Sequence, residues 1–467
     1  MSIFYSPELI YLDGEFVRGK GILVDDRGYI QSICGSHDAG GSEIVNLPGR
    51  ALLPGFVNAH SHSFQRLIRG KSESRIVSGH DFWSWRGTMY HAAAELSAED
   101  VFHVARMAFL EMALAGTTTV GEFHYLHNDI SGRPYDDPNL LAKQVIAAAR
   151  SVGIRVVLLR TAYLRSGYQM LPDPGQARFF ESTANFIRNM QALVEEFADA
   201  SPDVRFGVAP HSIRAVPLQD VKEIAAWADS RQLPLHMHVS EQVAENEACL
   251  REYGYTPVQL LSRNNILSSR FTAVHAIHIR PDEVEQLASA GSAICSCPTT
   301  ERNLGDGIFA ADQVMSSSIR VALGSDSQAQ IDPLEDAREL DYHLRLRDRQ
   351  RAILDSIEDT PIAERLLASA AKNGARALSV SAGEFIEGCL ADAFTVDLDD
   401  PSIAGHSPED LLPILVFSLN RSAIREVFVN GRCIVRDGAH VLQDEIVARY
   451  KEIHARVWSG NQGRKLR

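Results

Sequence analysis

Ala51-Leu52-Leu53-Pro54-Gly55-Phe56-Val57-Asn58-Ala59-His60-Ser61-His62 is an apolar run that ends in a His-x-His pair. In an extended segment residues i and i+2 face the same way, so His60 and His62 can send two imidazoles to one metal from a single strand end. The spacing alone is weak, because proteins also use it for ordinary hydrogen bonding. It gains weight downstream, where three further strand-like segments end in His238, His275 and Asp326. That order of imidazoles and a carboxylate suits a barrel that holds one divalent metal at its strand ends and activates water there.

The surrounding pattern points the same way. Apolar runs at 118–120, 154–159, 204–209, 233–238, 272–276 and 321–326 alternate with stretches of helical spacing at 182–198, 218–229 and 282–290. Residues 51–390 are therefore expected to form an α/β domain, a metal-dependent (β/α)8 TIM barrel. The stretch 163–178, carrying Gly and Pro, reads as a long strand-to-helix loop able to cover a site. Residues 1–50 hold short strand-like pieces at 9–12, 22–24 and 29–33 between Asp-Gly and Asp-Arg-Gly turns, and read as a small antiparallel sheet. Segments 393–397 and 427–435, the latter with an Asn-Gly turn, resume that pattern. The two ends, 1–50 and 391–467, are expected to build one small β-sandwich-like domain that finishes in a helix.

Composition limits the partners. The 467 residues carry 60 acidic and 46 basic side chains, a formal charge of −14, so the average surface repels nucleic-acid backbones. Residues 338–351 are charged but mixed in sign, which suits a solvated helix face. With no apolar stretch long enough to span a bilayer and Glu8 and Asp13 near the N-terminus, the expectation is a cytoplasmic protein without membrane contact. Six dispersed cysteines do not make a disulfide framework, and Cys295-Ser296-Cys297 reads as a strand end rather than a soft-metal site.

His236-Met237-His238-Val239-Ser240-Glu241 offers a third imidazole in His238, with Glu241 on the following turn as a proton carrier outside the metal shell. His236 is either a supporting or a packing residue. Asp326, in Gly324-Ser325-Asp326-Ser327, would bind the metal and accept a proton from its water, although a buried Asp can also serve as a helix cap. His275 would orient that water. The nitrogen-rich donor set favours zinc, one ion per chain, with iron and manganese as the alternatives.

Together these motifs resemble the amidohydrolase superfamily, in its aminohydrolase branch that uses one metal. The resemblance implies His60, His62, His238 and Asp326 as metal ligands and Glu241, His275 and Asp326 as the catalytic groups. Further motifs, His60 to Arg66, Phe82-Trp83-Ser84-Trp85-Arg86, Glu122-Phe123-His124-Tyr125, His211 to Val216 and Glu301 to Phe309, are similar to the formimidoylglutamate deiminases of histidine degradation. That similarity implies a small dicarboxylate formimidoyl substrate surrounded by Gln65, Arg86, Tyr125, His211 and Arg214, and a homodimer. Guanidinium groups suit bidentate carboxylate recognition, but each Arg taken alone can equally be a salt-bridged surface residue, and Tyr125 and Gln65 can be packing or strand-end residues. The 301–309 segment, with Asn-Leu-Gly-Asp-Gly, is expected to be a rim loop. Gln328 stands where such deiminases often carry histidine after Ser-Asp-Ser. The competing expectations are another one-metal aminohydrolase acting on a purine, pyrimidine or triazine, and a non-catalytic metal-binding protein.

Overall fold

The computed structural model describes residues 2–71, 73, 82–198, 202–356 and 360–459. Its centre is a ring of eight parallel strands in sequential order: β1 Phe56–Ser61, β2 Thr117–His124, β3 Arg155–Ala162, β4 Val204–Pro210, β5 Leu235–Val239, β6 Phe271–His275, β7 Ala293–Ser296 and β8 Arg320–Leu323. Strands β2 and β3 are buried at every position, as expected where helices cover a parallel sheet that is closed on itself. Closure depends on residues of the candidate site. Beyond the last strand, Ser61 bridges Asp326, the Asp326 amide donates to the His60 carbonyl at 3.0 Å, and the His62 amide donates to the Asp326 carbonyl at 3.0 Å.

The helical readings correspond to Thr183–Glu196, Leu218–Asp229 and Pro281–Ser289. Local chemistry sets several ends: Ser182 accepts from the Asn185 amide at the first of them, and a Ser97/Asp100 capping box starts Ala98–Leu114. Strand β7 was visible only as a strand end, because four residues with Cys and Ser carry little apolar signal. The 163–178 stretch is indeed a connection between β3 and the helix at Thr183, with a short turn of 3-10 helix at Pro174–Gln176. Pro333–Asp348 is helical, but its Asp336, Glu339 and Asp341 are buried, so that face is not wholly solvated.

Both chain ends build one mixed sheet. Its order runs Arg432–Val435, Ile424–Val429, Ala393–Asp397, Glu43–Pro54, Ile3–Leu12, Gly21–Val24 and Ile30–Cys34, with Glu15–Val17 also paired to Ile3–Leu12. The expectation of a purely antiparallel sheet at the N-terminus needs correction. Ile3–Leu12 is antiparallel to Gly21–Val24 but parallel to Glu43–Pro54, because the chain crosses over before entering the latter strand. Only 9–12 was legible in that ten-residue strand, since Ser6-Pro7-Glu8 interrupts it and the register shifts between Pro7 and Leu9. The sheet curls until the Tyr5 ring meets Phe428 at 4.9 Å, enclosing a core of its own with Ile10, Ile22, Val24 and Leu52. The C-terminal helix, Gln443–Ser459, is held to Ala98–Leu114 by the pair of Arg106 with Glu445 at 2.7 Å. Among the described residues no helix is long and apolar enough to cross a membrane.

Candidate metal centre and its cavity

Three strand ends converge. His60 closes β1 with His62 just after it, His238 lies near the end of β5, and Asp326 follows β8. One donor atom from each of these four buried residues lies within 4.8 Å of the others. Asp326 Oδ1 is 3.3 Å from His60 Nε2 and 3.2 Å from His62 Nε2, and His238 Nε2 is 3.2 Å from His60 Nε2. Four donors arranged tetrahedrally at zinc–nitrogen distance would be separated by about 3.3 Å, so the spacing fits such an ion.

Tautomers make the fit more than geometric. His62 Nδ1 donates to the Phe123 carbonyl at 2.8 Å, and His238 Nδ1 donates to the His211 carbonyl at 3.0 Å. Each ring thereby keeps its proton on Nδ1 and turns an Nε2 lone pair inward. Burial pushes His60 down to about 3 and His238 well below the usual range, where imidazoles are neutral ligands. Burial alone would raise Asp326, but the adjoining His60 and His62 outweigh it and hold the carboxyl well below its ordinary value. A cluster of neutral imidazoles facing a carboxylate is the donor chemistry of a divalent cation. The backbone is also strained here: His275, Asp326 and Gln328 have φ of 69°, 45° and 63°. Such left-handed residues cost about 1–3 kcal/mol each and persist where the surroundings dictate them.

Glu241 and His275 flank the donors, with His275 Nε2 at 3.9 Å from Glu241 Oε1. Burial raises Glu241 against the opposing pull of His275. For His275 burial works downward, yet Glu241, Glu301 and Asp326 together carry it well above its ordinary value. His236 serves a different purpose, since its Nε2 bonds the Ala377 carbonyl at 2.9 Å.

Gln65, Arg86, Tyr125, His211 and Arg214 all line one cavity together with His62, His238, Glu241, His275 and Asp326. Gln65 Nε2 donates to the Tyr125 hydroxyl at 2.7 Å, and Arg86 donates to the Tyr163 hydroxyl at 2.8 Å. Burial opposes the Arg214 charge, but Tyr163, Glu245 and Glu241 outweigh it and raise its pKa. The same wall includes Trp85, which lies in the Phe82 to Arg86 motif, and Tyr90, Tyr163 and Phe179, which the sequence did not mark as site residues. Tyr163 carried a signal, as the first residue of the long loop; Tyr90 and Phe179 had none.

One expectation changes. The 301–309 segment is not all rim loop: Pro298–Leu304 is helical and ends at Gly305, whose φ is 71°. Only Leu304 of that segment lines the cavity, while Glu301 is buried against His275. Gln328 is fully buried and lies outside the cavity wall, donating to Ser61 Oγ and the Asp326 carbonyl, each at 2.9 Å. Its side chain supports the ring closure rather than the ligand. The side chains of Phe82, Trp83 and Ser84 lie outside the described residues.

Comparison with known proteins agrees with this construction. The amidohydrolase family matches residues 51–434. A formimidoylglutamate deiminase from Pseudomonas aeruginosa is 34% identical over 97% of this chain and 99% of its own. A 5-methylthioadenosine/S-adenosylhomocysteine deaminase from Pyrococcus furiosus is 26% identical over 94% of this chain and 96% of its own. The crystal structure of an amidohydrolase from Brucella melitensis is similar with a TM-score of 0.89 and 30% identity, over 97% of this chain and 99% of that one. With its barrel, its His/Asp cluster and these deiminase and deaminase relatives, the chain belongs to the amidohydrolase family and is a hydrolase of carbon–nitrogen bonds.

Proposed function

We propose that the protein hydrolyses N-formimidoyl-L-glutamate to N-formyl-L-glutamate and ammonia. The observation that carries this reading is the presence of two guanidinium groups, Arg86 and Arg214, in the wall of the cavity that also holds the metal donors and Glu241. In a chain of net charge −14, a buried and a half-buried guanidinium beside a hydrolytic centre suit a substrate with two carboxylates. The relative at 34% identity is named for the same compound.

His60, His62, His238 and Asp326 would hold the ion, with zinc favoured by three nitrogens and one oxygen. When bound, a divalent metal supplies the Lewis acidity that makes water a nucleophile near neutral pH. Glu241 accepts a proton from the attacking water and passes it to the imino nitrogen as the C–O bond forms and the C=N bond opens. His275 orients the water and stabilises charge as the adduct develops. Collapse of the tetrahedral adduct breaks the C–N bond, ammonia leaves with the transferred protons, and the carbonyl of the formyl group remains. Arg86 and Arg214 hold the carboxylates, so remote binding becomes orientation of the reacting carbon.

A second reading, deamination of a purine or related ring, is favoured by the aromatic wall of Trp85, Tyr90, Tyr163 and Phe179 and by the 26% identical relative. It gives the two guanidinium groups of the cavity wall no carboxylate to bind. The deciding experiment measures ammonia release from N-formimidoyl-L-glutamate by protein of known metal content, beside formimidoyl-glycine, formimidoyl-aspartate and a panel of aminated bases. Selective release from the glutamate compound supports the first reading; turnover of a base with none of the glutamate compound replaces it with the second.

A further inference from the structure

The side of His275 turned away from Glu241 meets a second carboxylate. Glu301, 2% exposed, places Oε1 at 3.3 Å from His275 Nδ1. The same carboxylate is anchored by the Cys297 amide at 2.7 Å and by Ser296 Oγ at 3.0 Å. All three contacts come from the ends of β6 and β7 and from the helix that follows, so the carboxylate has no freedom to turn elsewhere.

We infer that Glu301 is the positioning residue of His275. By accepting the Nδ1 proton it holds the imidazole with Nε2 toward Glu241 and the cavity, in the orientation that the proposed deimination needs; the inference rests on that reading of the site. A carboxylate behind an imidazole fixes both tautomer and ring angle and stabilises the imidazolium when it forms.

Helix capping alone does not account for the arrangement. A cap explains the Cys297 amide bond, but not why a carboxylate is buried against the far nitrogen of a cavity-lining imidazole. Burying an ionised carboxyl is costly unless a charge-assisted partner offsets it, and among the described residues the ion-pair partner of Glu301 is His275.

The test uses the metal-loaded full chain as wild type, Glu301→Gln, Glu301→Ala, Ser296→Ala and His275→Asn. Glu301→Gln keeps an oxygen for the Cys297 amide while removing the charge that faces His275. Its expected effect is a fall in kcat of about 10- to 100-fold, with KM changed by less than about 3-fold and metal content unaltered. Ser296→Ala, which removes one anchor but leaves the charge of Glu301 in place, should lower kcat by a smaller factor than Glu301→Gln. An independent readout is the low-field imidazole N–H proton resonance, assigned by its loss in His275→Asn; it should move upfield in Glu301→Gln and vanish in Glu301→Ala. Unchanged kcat and an unchanged resonance in Glu301→Gln would overturn the inference, as would parallel loss of metal, folding and activity in that variant. If wild type acts on a different carbon–nitrogen substrate, the deiminase reading fails by itself, and the resonance still decides the role of Glu301.

Discussion

His238 Nε2 lies 3.2 Å from His60 Nε2, and the His238 ring is protonated on its other nitrogen because that nitrogen donates to the His211 carbonyl. An inward lone pair is therefore held against a second buried imidazole, an arrangement that a cation between them would relieve. The expected consequence is coupling of metal to stability. Chelation should abolish activity and lower Tm, and zinc should restore both; at a free metal concentration 100 times Kd the stabilisation is about 2.7 kcal/mol. His238→Asn should lower metal content at least about 10-fold by elemental analysis. Full metal occupancy in that variant would remove His238 from the ligand set.

Glu241 sits beside the donors without belonging to their cluster, 3.9 Å from His275 Nε2. Glu241→Gln should leave the protein folded with its metal near one per chain while kcat falls by about 100- to 10,000-fold. Metal analysis and steady-state kinetics on one preparation check both halves. Retained turnover would assign proton transfer to another group.

How legible this site was depended on whether a residue's partners are near it in sequence. His60 and His62 announce themselves because two residues of one strand share a face. His238 and Asp326 end apolar runs of barrel-strand length, so they too could be read locally. Glu301 could not. Its significance comes from β6, a strand distant in sequence, and the glycines at 305 and 307 made its helix look like part of a loop. Tyr163 reaches Arg86 across the barrel mouth, a contact 77 residues apart that no spacing encodes. The terminal sheet shows the same division: turn residues revealed its hairpins, but the parallel pairing of Ile3–Leu12 with Glu43–Pro54 follows from a crossover with no sequence mark.

The two ends of the chain are fastened to the barrel through a buried ion pair. Arg155, on β3, bonds Asp392 just before the strand Ala393–Asp397, and both side chains are fully buried. Asp392→Ala leaves the guanidinium without its carboxylate and should cost about 3–5 kcal/mol of stability. Replacing Arg155 and Asp392 together by apolar residues should cost less than the single change. Denaturant unfolding of both variants provides the comparison; equal losses would show that the charge pair itself is not the source.

Arg214 lies in the cavity wall with Arg86, and a Lys there keeps the charge but loses the planar fork. Arg214→Lys should lower kcat/KM for N-formimidoyl-L-glutamate by about 10-fold or more while changing formimidoyl-glycine, which lacks one carboxylate, by a smaller factor. Equal factors for the two compounds would detach Arg214 from the second carboxylate.

Glu245 gives the protein a stability term with a defined sign in pH. Burial, against the opposing pull of Arg214, raises its carboxyl from 4.5 to about 7 in the folded chain. Oε2 accepts the Glu241 amide at 3.1 Å, while Oε1 is buried without a partner. Below pH 4.5 the group is protonated in both folded and unfolded chains, and its contribution is fully present. Between 4.5 and about 7 the unfolded chain ionises first, so the folded chain binds more protons and stability is lost as pH rises. Above the folded value the penalty is complete, about 3 kcal/mol for a shift of this size. Glu245→Gln, which cannot ionise, should therefore be more stable than wild type at pH 8 by up to that order, with the advantage shrinking toward pH 5. Denaturant midpoints of the two proteins across this range supply the measurement, and a difference that stays constant with pH would exclude Glu245 as the titrating group.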